Sequence, residues 1–352
     1  MQHKKNIVFL YSELAAYFVA CVEELAKFPD VEIHVVRWPV NNEAPFHFGE
    51  PFPNVHFYDR NNFTLKSLTE LLRNIQPDIM YCSGWMDKDY LKLCRMYRNK
   101  IPVIGGLDTQ WTGDFKQRLR SAISFATVKR YFSHLWVAGN PQRTYAKKLG
   151  FNNDQIIDGV YSADLPFFQK VYENIHSFKE ANFPHRFIYV GRYLEFKGIY
   201  DLWQAFIGTF DVQQHDWELW CIGTGALWEK RIEHPSIKHF GFVQPSQMEE
   251  YMQLTGVFVL PSHFEPWAVV VHEFAAAGFP LICSDKVGAA TQFLNSSNGF
   301  TFKAGDVFDL RQKMLTCINS SSQQLVEMGK SSHLLAQQLS PAIWSKRILA
   351  LL

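Results

Sequence analysis

The sequence predicts an α/β protein built as two doubly wound, parallel-sheet domains. Three observations carry that prediction. At 352 residues the chain is long for one hydrophobic core. Short apolar runs alternate with helical patterns through both halves, as expected when helices cover both faces of a parallel sheet. The alternation breaks once, over a polar stretch at 166–184 that includes Lys170, Glu173, Asn174, Lys179 and Glu180, and then restarts.

In the first half, strand-like runs lie at 7–12, 31–38, 54–58, 78–83, 102–106 and 134–138. Helical patterns fall between most of them, at Leu14 to Lys27, Leu65 to Ile75, Tyr90 to Arg98, Phe115 to Tyr131 and Pro141 to Leu149. A strand from Gln155 to Val160 closes this half. After the polar break come strands at 186–190, 217–222, 237–240, 256–260 and 280–283, with helices at 199–209, 246–253 and 266–277. Helices at 306–317, 321–338 and 341–351 end the chain. This divides it into a first domain over 1–165, a linker over 166–184, a second domain over 185–338 and a terminal helix over 339–352.

Composition narrows the function classes. Hydrophobic residues make up 47% and aromatic residues 15%, enough for two sizeable cores. The formal net charge of +1 provides no global field to recruit nucleic acid. No segment approaches the roughly 18 to 20 apolar residues needed to span a bilayer. Met1–Lys5 runs directly into an apolar strand too short for a signal peptide. The six cysteines are scattered without a C-x-x-C pair, which suits reduced, buried thiols in a cytoplasmic protein. The histidines show no ligand spacing with carboxylate or cysteine partners, so no metal is expected.

The most informative stretch runs from Ser262 to Pro280. Gly256–Pro261 reads as a buried strand that ends in a breaker. Pro266 suits the first position of a helix and Gly278 its stop, giving a helix at about 266–277. Its first free N–H groups, from Trp267, Ala268 and Val269, would face whatever lies at the helix mouth, beside the acceptor-only carboxylate of Glu265. Glu273 would lie about 12 Å further along at 1.5 Å per residue. Two carboxylates that far apart cannot share one proton or metal ion, but they suit two parts of one extended ligand. Taken alone, the pair reads more readily as a dipole partner and a solvated face.

Three further elements lie in strand-to-helix loops. Gly191-Arg192-Tyr193-Leu194-Glu195-Phe196-Lys197-Gly198 places a guanidinium and an ammonium five residues apart, a set suited to a diphosphate or simply to a charged surface loop. Gly223-Thr224-Gly225 ends a strand and by itself marks only a tight turn. Phe240-Gly241-Phe242-Val243 offers backbone and an apolar side chain that suit a nucleobase edge, or an ordinary strand end.

Together, G-R-x4-K-G, G-x-G, G-F-V and P-S-x-x-E-x7-E-x4-G-x-P, in this order, resemble the donor-binding half of retaining glycosyltransferases of family 4, the group 1 glycosyl transferases. These have the GT-B fold, two Rossmann-like domains facing a central cleft. The resemblance is specific over about 186–303 and looser over 1–165. It implies that Arg192 and Lys197 neutralise the donor diphosphate, with the N–H groups of Trp267, Ala268 and Val269 beside it. It also implies that Glu265 holds the transferred sugar, that Glu273 holds the ribose, and that Phe242 and Val243 read the base. Gly191, Gly223 and Gly225 would shape the loops. The implied reaction moves a hexose from a nucleotide-diphosphate sugar to a glycan or lipid-linked glycan acceptor, with retained configuration and no cofactor, in cell-surface glycan or polysaccharide biosynthesis. In this fold the last helix crosses back onto the first domain.

The chain departs from the family pattern in three places. Ala268 stands where glycine is frequent, which costs nothing if that residue is helical. The loop after the first strand, Tyr11-Ser12-Glu13-Leu14, lacks the usual two glycines and puts Glu13 on the acceptor side. Many members carry a histidine near the sugar, and here Gly105–Trp111 offers Asp108 or Gln110. Asp108 is read either as facing the reacting centre or as a helix N-cap. Asp87-Lys88-Asp89 resembles a metal-binding string of another glycosyltransferase fold, but it opens a helix and reads as a cap. Lys116, Arg118, Arg120, Lys129 and Arg130, with Phe115, Leu119, Ile123, Phe125 and Phe132, make 114–131 either a peripheral helix on the inner face of a membrane or a solvated face. A sugar-nucleotide epimerase of the same architecture and a catalytically inactive nucleotide-sugar-binding subunit are the competing functions.

Overall fold

The computed structural model describes residues 4–39 and 52–352. The chain divides into two units, Met1–Ser162 with Leu339–Leu352, and Ala163–Gln338.

Unit 1 runs β1 (Lys5–Tyr11), α1 (Ala16–Ala26), β2 (Val31–Arg37), β3 (Val55–Asp59), α2 (Leu65–Ile75), β4 (Ile79–Cys82), α3 (Lys88–Tyr97), β5 (Val103–Leu107), α4 (Phe115–Ala122), β6 (His134–Val137), α5 (Asn140–Lys148) and β7 (Ile156–Asp158). Its seven strands pair in parallel in the order β3-β2-β1-β4-β5-β6-β7. The apolar runs are continuous because both sheet faces are covered, and Ile7, Val8, Phe9 and Leu10 are all fully buried. The terminal helix, Pro341–Leu349, belongs to this unit. Ser340 caps it by accepting from the Ile343 N–H at 3.1 Å. Trp344 stacks on Trp136 at 4.8 Å between ring centroids and donates its indole N–H to the Val160 carbonyl at 3.0 Å.

Unit 2 runs α6 (Leu165–Ala181), β8 (Arg186–Val190), α7 (Ile199–Phe210), β9 (Glu218–Ile222), β10 (Ile237–His239), α8 (Met248–Gln253), β11 (Val257–Leu260), α9 (Val269–Ala276), β12 (Leu281–Ser284), α10 (Ala290–Phe293), β13 (Gly299–Phe302), α11 (Val307–Ile318) and α12 (Ser322–Ala336). Its six strands are parallel in the order β10-β9-β8-β11-β12-β13.

Five elements differ from the sequence reading, among them the short helix α10, which that reading does not contain. The stretch expected as a linker is largely α6. Asp164 caps this helix through the Phe167 N–H, and Leu165, Phe168, Val171 and Ile175 bury a helical stripe that the polar composition hides. The helix expected to reach Tyr131 ends at Ala122, and 123–131 are turns. The sequence there, Ile123-Ser124-Phe125 and then Thr127-Val128, is poor in helix formers. Strand β13 went unread because it opens on glycine, which is depleted in strands. The helix expected to begin at Pro266 begins at Val269.

The six cysteines are all buried, and none is in a disulfide. Among the described residues, no helix is long and apolar enough to cross a membrane. Asp87 caps α3 by accepting from the Asp89 and Tyr90 N–H groups.

Candidate functional site

The motif loops of unit 2 leave the carboxyl ends of adjacent strands β8, β9, β10 and β11, the edge at which open α/β sheets bind ligands. Backbone hydrogen bonds join them. Gly191 N–H donates to Ile222 O at 3.0 Å, Tyr193 N–H to Thr224 O at 2.9 Å, and Gly223 N–H to Gly241 O at 2.6 Å. Glycine is required at 223 because φ is +128° and a Cβ there would stand 2.0 Å from Gly191 O. A Cβ at Gly225 would stand 2.7 Å from Tyr193 O, so the G-x-G element is where the β8 and β9 loops press together.

A second seam joins the β8 loop to the β11 loop. Gly198 has φ +69°, and a Cβ there would stand 2.2 Å from Pro261 O. His263 N–H donates to Phe196 O at 2.8 Å. Lys197 is thereby held against Glu265, and its Nζ donates to Glu265 Oε2. Ser262 Oγ donates to the same carboxylate oxygen at 3.4 Å. Glu265 is also fixed by its backbone, since its N–H donates to Lys286 O at 3.1 Å and its carbonyl accepts from Gly288 N–H at 3.0 Å. Lys197 and Glu265 thus form a largely sequestered ion pair, with Arg192 exposed in the same loop and its carbonyl accepting from Tyr189 Oη at 2.8 Å.

The start of α9 corrects the reading of Ser262–Pro280. Pro266 lies outside the helix, and Ala268 is its N-cap at φ +77°, ψ +86°. The chain stays irregular to this point because Glu265 and Trp267 are tied to the β12–α10 connection. Ala289 N–H donates to Trp267 O at 2.8 Å, and the Trp267 ring is buried edge-on to Phe293. Of the three expected N–H donors, Val269 lies in the first turn, while Trp267 and Ala268 precede the helix. The 12 Å estimate, which assumed a single helix from 266, falls with it.

Glu273 lies in the second turn of α9. Burial, and after it the Asp164 carboxylate, raise its pKa to about 7. The neighbouring His272 is fully buried, and burial lowers its pKa to about 4. Its Nδ1 accepts from Ala163 N–H at 3.0 Å and its Nε2 donates to Ala336 O at 2.9 Å, so it is a neutral imidazole of fixed tautomer. Phe242 is exposed and Val243 buried just beyond Gly241.

The remaining candidates lie in unit 1. Glu13 follows β1 and is exposed; Asp108 follows β5, is exposed, and accepts Gln142 Nε2 on its carbonyl at 2.8 Å. Asp108 is not an N-cap: the next helix, α4, starts at Phe115 under Asp114. Asp108 also contributes to holding the Tyr161 hydroxyl well above its usual range, after burial and Tyr17. The Gln110 carbonyl accepts Gln117 Nε2 at 2.7 Å. In 114–131, Phe115, Leu119, Ile123 and Phe125 are all exposed, among Lys116, Arg118, Arg120 and Arg130. Among the described residues, no three His, Cys, Asp or Glu side chains converge in a way that could hold a metal ion.

Sequence reasoning missed Asp164 and His272. Asp164 lies outside the motif run and His272 inside it, but neither carries a spacing that signals its partner. Ser262 and Gly198 stood within the quoted motifs, and only the structure shows what they touch.

Residues 184–320 match the family model of the glycosyl transferases, group 1. Over 264 residues the chain is 23% identical to a glycogen synthase of Mycobacterium tuberculosis, an alignment covering 68% of this chain and 59% of that one. The chain thus spans somewhat over half the length of that relative. Its fold matches that of Anabaena Alr3699/HepE in complex with UDP, with a TM-score of 0.70, 12% identity and 98% of each chain covered. It also matches the sucrose-phosphate synthase of Thermosynechococcus elongatus, with a TM-score of 0.74, 14% identity, and 99% and 98% of the two chains covered.

Proposed function

We propose that this chain, a GT-B fold with a group 1 glycosyl transferase domain over residues 184–320, moves a hexose from a nucleotide-diphosphate sugar to an acceptor hydroxyl with retained configuration and without a metal ion. The observation that carries the proposal is the Lys197–Glu265 pair, held between the β8 and β11 loops, with the exposed Arg192 in the same β8 loop. A cation and a carboxylate so fixed are a preorganised electrostatic site.

In this reading the donor diphosphate takes over the Lys197 ammonium and draws in Arg192, whose planar fork suits phosphate oxygens. Glu265, released from Lys197, accepts hydroxyls of the transferred sugar. The Val269 N–H, with those of Trp267 and Ala268 just before it, meets the sugar or the distal phosphate. Glu273 accepts from the ribose hydroxyls as a carboxylate. Phe242 and the Val243 backbone meet the base, and the UDP of the Anabaena structure makes uracil the first base to try. As the sugar–oxygen bond breaks, Arg192 and Lys197 stabilise charge on the leaving diphosphate, whose own oxygen takes the acceptor proton. Asp108 is assigned to the reacting sugar, and an Asp108→Asn variant that transfers at full rate while Arg192→Ala does not would remove it from the chemistry.

The acceptor in this reading is a glycan or lipid-linked glycan. The exposed Phe115, Leu119, Ile123 and Phe125, with cations beside them, support contact with an anionic membrane surface during cell-surface glycan synthesis. The deciding experiment is a thermal-shift panel of UDP-, GDP-, ADP- and TDP-sugars, because ligand that binds only the folded state raises stability by mass action. Turnover of donor with no second substrate would favour an epimerase, and binding without turnover a non-catalytic subunit.

A further inference from the structure

The basic residues of unit 1 are gathered where no carboxylate offsets them. Residues 90–107 carry four lysines and arginines and residues 115–153 carry eight, with no aspartate or glutamate in either stretch, in a chain whose net charge is +1. The two stretches meet in a hollow of about 510 Å³ lined by Arg95, Arg98, Asn99, Phe125, Lys129 and Arg130. Arg95 lies in the last turn of α3, with Arg98 and Asn99 just beyond it, and the other three lie in the turns at 123–131. Those turns feed β6 at His134 and α3 leads to β5 at Val103. The hollow therefore stands toward the amino ends of these strands, away from the carboxyl ends that carry Glu13 and Asp108. Its volume falls within the range of small-molecule sites.

Bonds between separate elements hold the hollow in shape. Arg98 Nε donates to Lys129 O and Nη1 to Asn99 Oδ1, both at 2.5 Å. Lys129 Nζ donates to Gly150 O at 2.7 Å, and its backbone N–H to Ser124 O at 2.9 Å. Ser124 Oγ in turn donates to Leu149 O at 2.6 Å, which ties the turns to the end of α5. Every one of these acceptors is neutral. Arg98 keeps its second terminal nitrogen, and Lys129 two of its three N–H groups, for another partner. Arg60, Arg143 and Arg186, by contrast, each donate to a carboxylate. Among the described residues, none of Arg95, Arg98, Lys129 and Arg130 is in an ion pair, and no acid lines the hollow.

The negative end of α3 accounts for cations in its last turn, but not for Lys129 and Arg130, which another segment brings to them. Like charges gathered without a counter-charge repel one another, and the field they share attracts an anion. A guanidinium fork and an ammonium fixed by neutral acceptors suit the oxygens of a phosphate, which take several donors at once. We infer that this hollow binds a phosphate monoester, at a site separate from that of the nucleotide-sugar donor. Such a group is carried by a free phosphate compound or by the headgroup of an anionic lipid, whose acyl region the exposed Phe125 would meet. Only the lipid case rests on the membrane contact proposed above.

The experiment is calorimetric titration of the full chain with inorganic phosphate at constant ionic strength, since salt screens such a site. Beside it runs co-sedimentation with phosphatidylcholine vesicles carrying phosphatidic acid or, at matched surface charge, phosphatidylglycerol. Phosphate binding without a preference between the vesicles assigns a free ligand. Preferential capture by phosphatidic acid assigns a lipid headgroup. Either is expected to persist in the Arg192→Ala, Lys197→Ala variant, which lacks the donor cations. Arg98→Gln and Lys129→Gln keep an N–H for the carbonyl acceptors, and each should weaken binding about tenfold, the worth of one charge-assisted hydrogen bond. Arg95 and Arg130 are exposed, so Arg95→Glu with Arg130→Glu keeps the fold, and it should abolish binding. The inference is overturned by the absence of both phosphate binding and a preference for phosphatidic acid, by binding that these hollow variants leave unchanged, or by binding that disappears with Arg192 and Lys197. The thermal shift with nucleotide sugars should be the same in the hollow variants as in wild type, so it reports separately on the transferase reading.

Discussion

Ala268 is held at φ +77°, ψ +86°, one of two non-glycine residues with positive φ among those described. The left-handed region crowds Cβ against the backbone, and a residue held there costs about 1–3 kcal/mol. Ala268→Gly removes that cost. Against the gain stands the larger conformational freedom that glycine adds to the unfolded chain, about 0.5–1 kcal/mol. Ala268 is partly exposed, so the lost methyl contributes little. The net expectation is a stabilisation of about 1 kcal/mol, or roughly 2–4 °C for a unit of this size. The same exchange at Ala275, buried within α9, should go the other way by about 1 kcal/mol or more, since glycine weakens a helix interior. Ala268→Val should also destabilise, because a β-branched side chain tolerates positive φ worse. Scanning calorimetry of the three variants decides. An Ala268→Gly protein that melts lower than wild type, or alongside Ala275→Gly, would refute the assignment of strain to the mouth of α9.

Other expectations follow from buried or exposed groups. Glu273 has its folded pKa raised from 4.5 to about 7, so the folded state holds its proton more tightly than the unfolded chain does. Stability from this group is full below pH 4.5 and falls as pH rises through 7, by about 3 kcal/mol at most. Urea titrations of Glu273→Gln from pH 5 to 8 should lose that slope and show higher stability than wild type at pH 8, while wild-type donor affinity strengthens over the same range. Lys179 is buried without a hydrogen-bond partner among the described residues, its Nζ 3.3 Å from the Phe279 ring centroid. The ring face favours the ammonium, but burial prevails and pushes the amine well below its usual range. Lys179→Met should therefore raise stability by about 1–3 kcal/mol at pH 7, with the gain shrinking toward pH 10, and a less stable variant would assign the amine a partner. Co-sedimentation with vesicles containing anionic lipid at low salt should capture the chain, and Phe115→Ser with Phe125→Ser should release it; no capture of wild type would count against membrane contact.

The loops that carry charge and glycine were legible because both leave a mark in the residue string. Gly198 and Gly223 stand where backbone meets backbone, and Lys197 stands where the Gly198 turn directs it against Glu265. The strand–helix rhythm was legible because buried parallel strands are continuous apolar runs. What escaped depends on distant partners. The entry to α9 looks like a proline-started helix until Ala289 and Gly288 tie down Trp267 and Glu265. The stripe of α6 was concealed by the polar residues between its buried positions. His272 gives no sign in sequence that its two ring nitrogens bind Ala163 and Ala336, far apart along the chain.

The central claim is that unit 2 holds a nucleotide-diphosphate sugar on Arg192, Lys197, Glu265 and Glu273. Its most direct test is the melting temperature of wild type and of an Arg192→Ala, Lys197→Ala double variant, each with the four nucleotide sugars. At a hundredfold excess over Kd, a bound donor contributes about 2.7 kcal/mol. The account predicts a rise of several degrees in wild type with at least one donor, and its loss in the double variant. No rise with any donor, or a full rise in the double variant, would contradict it.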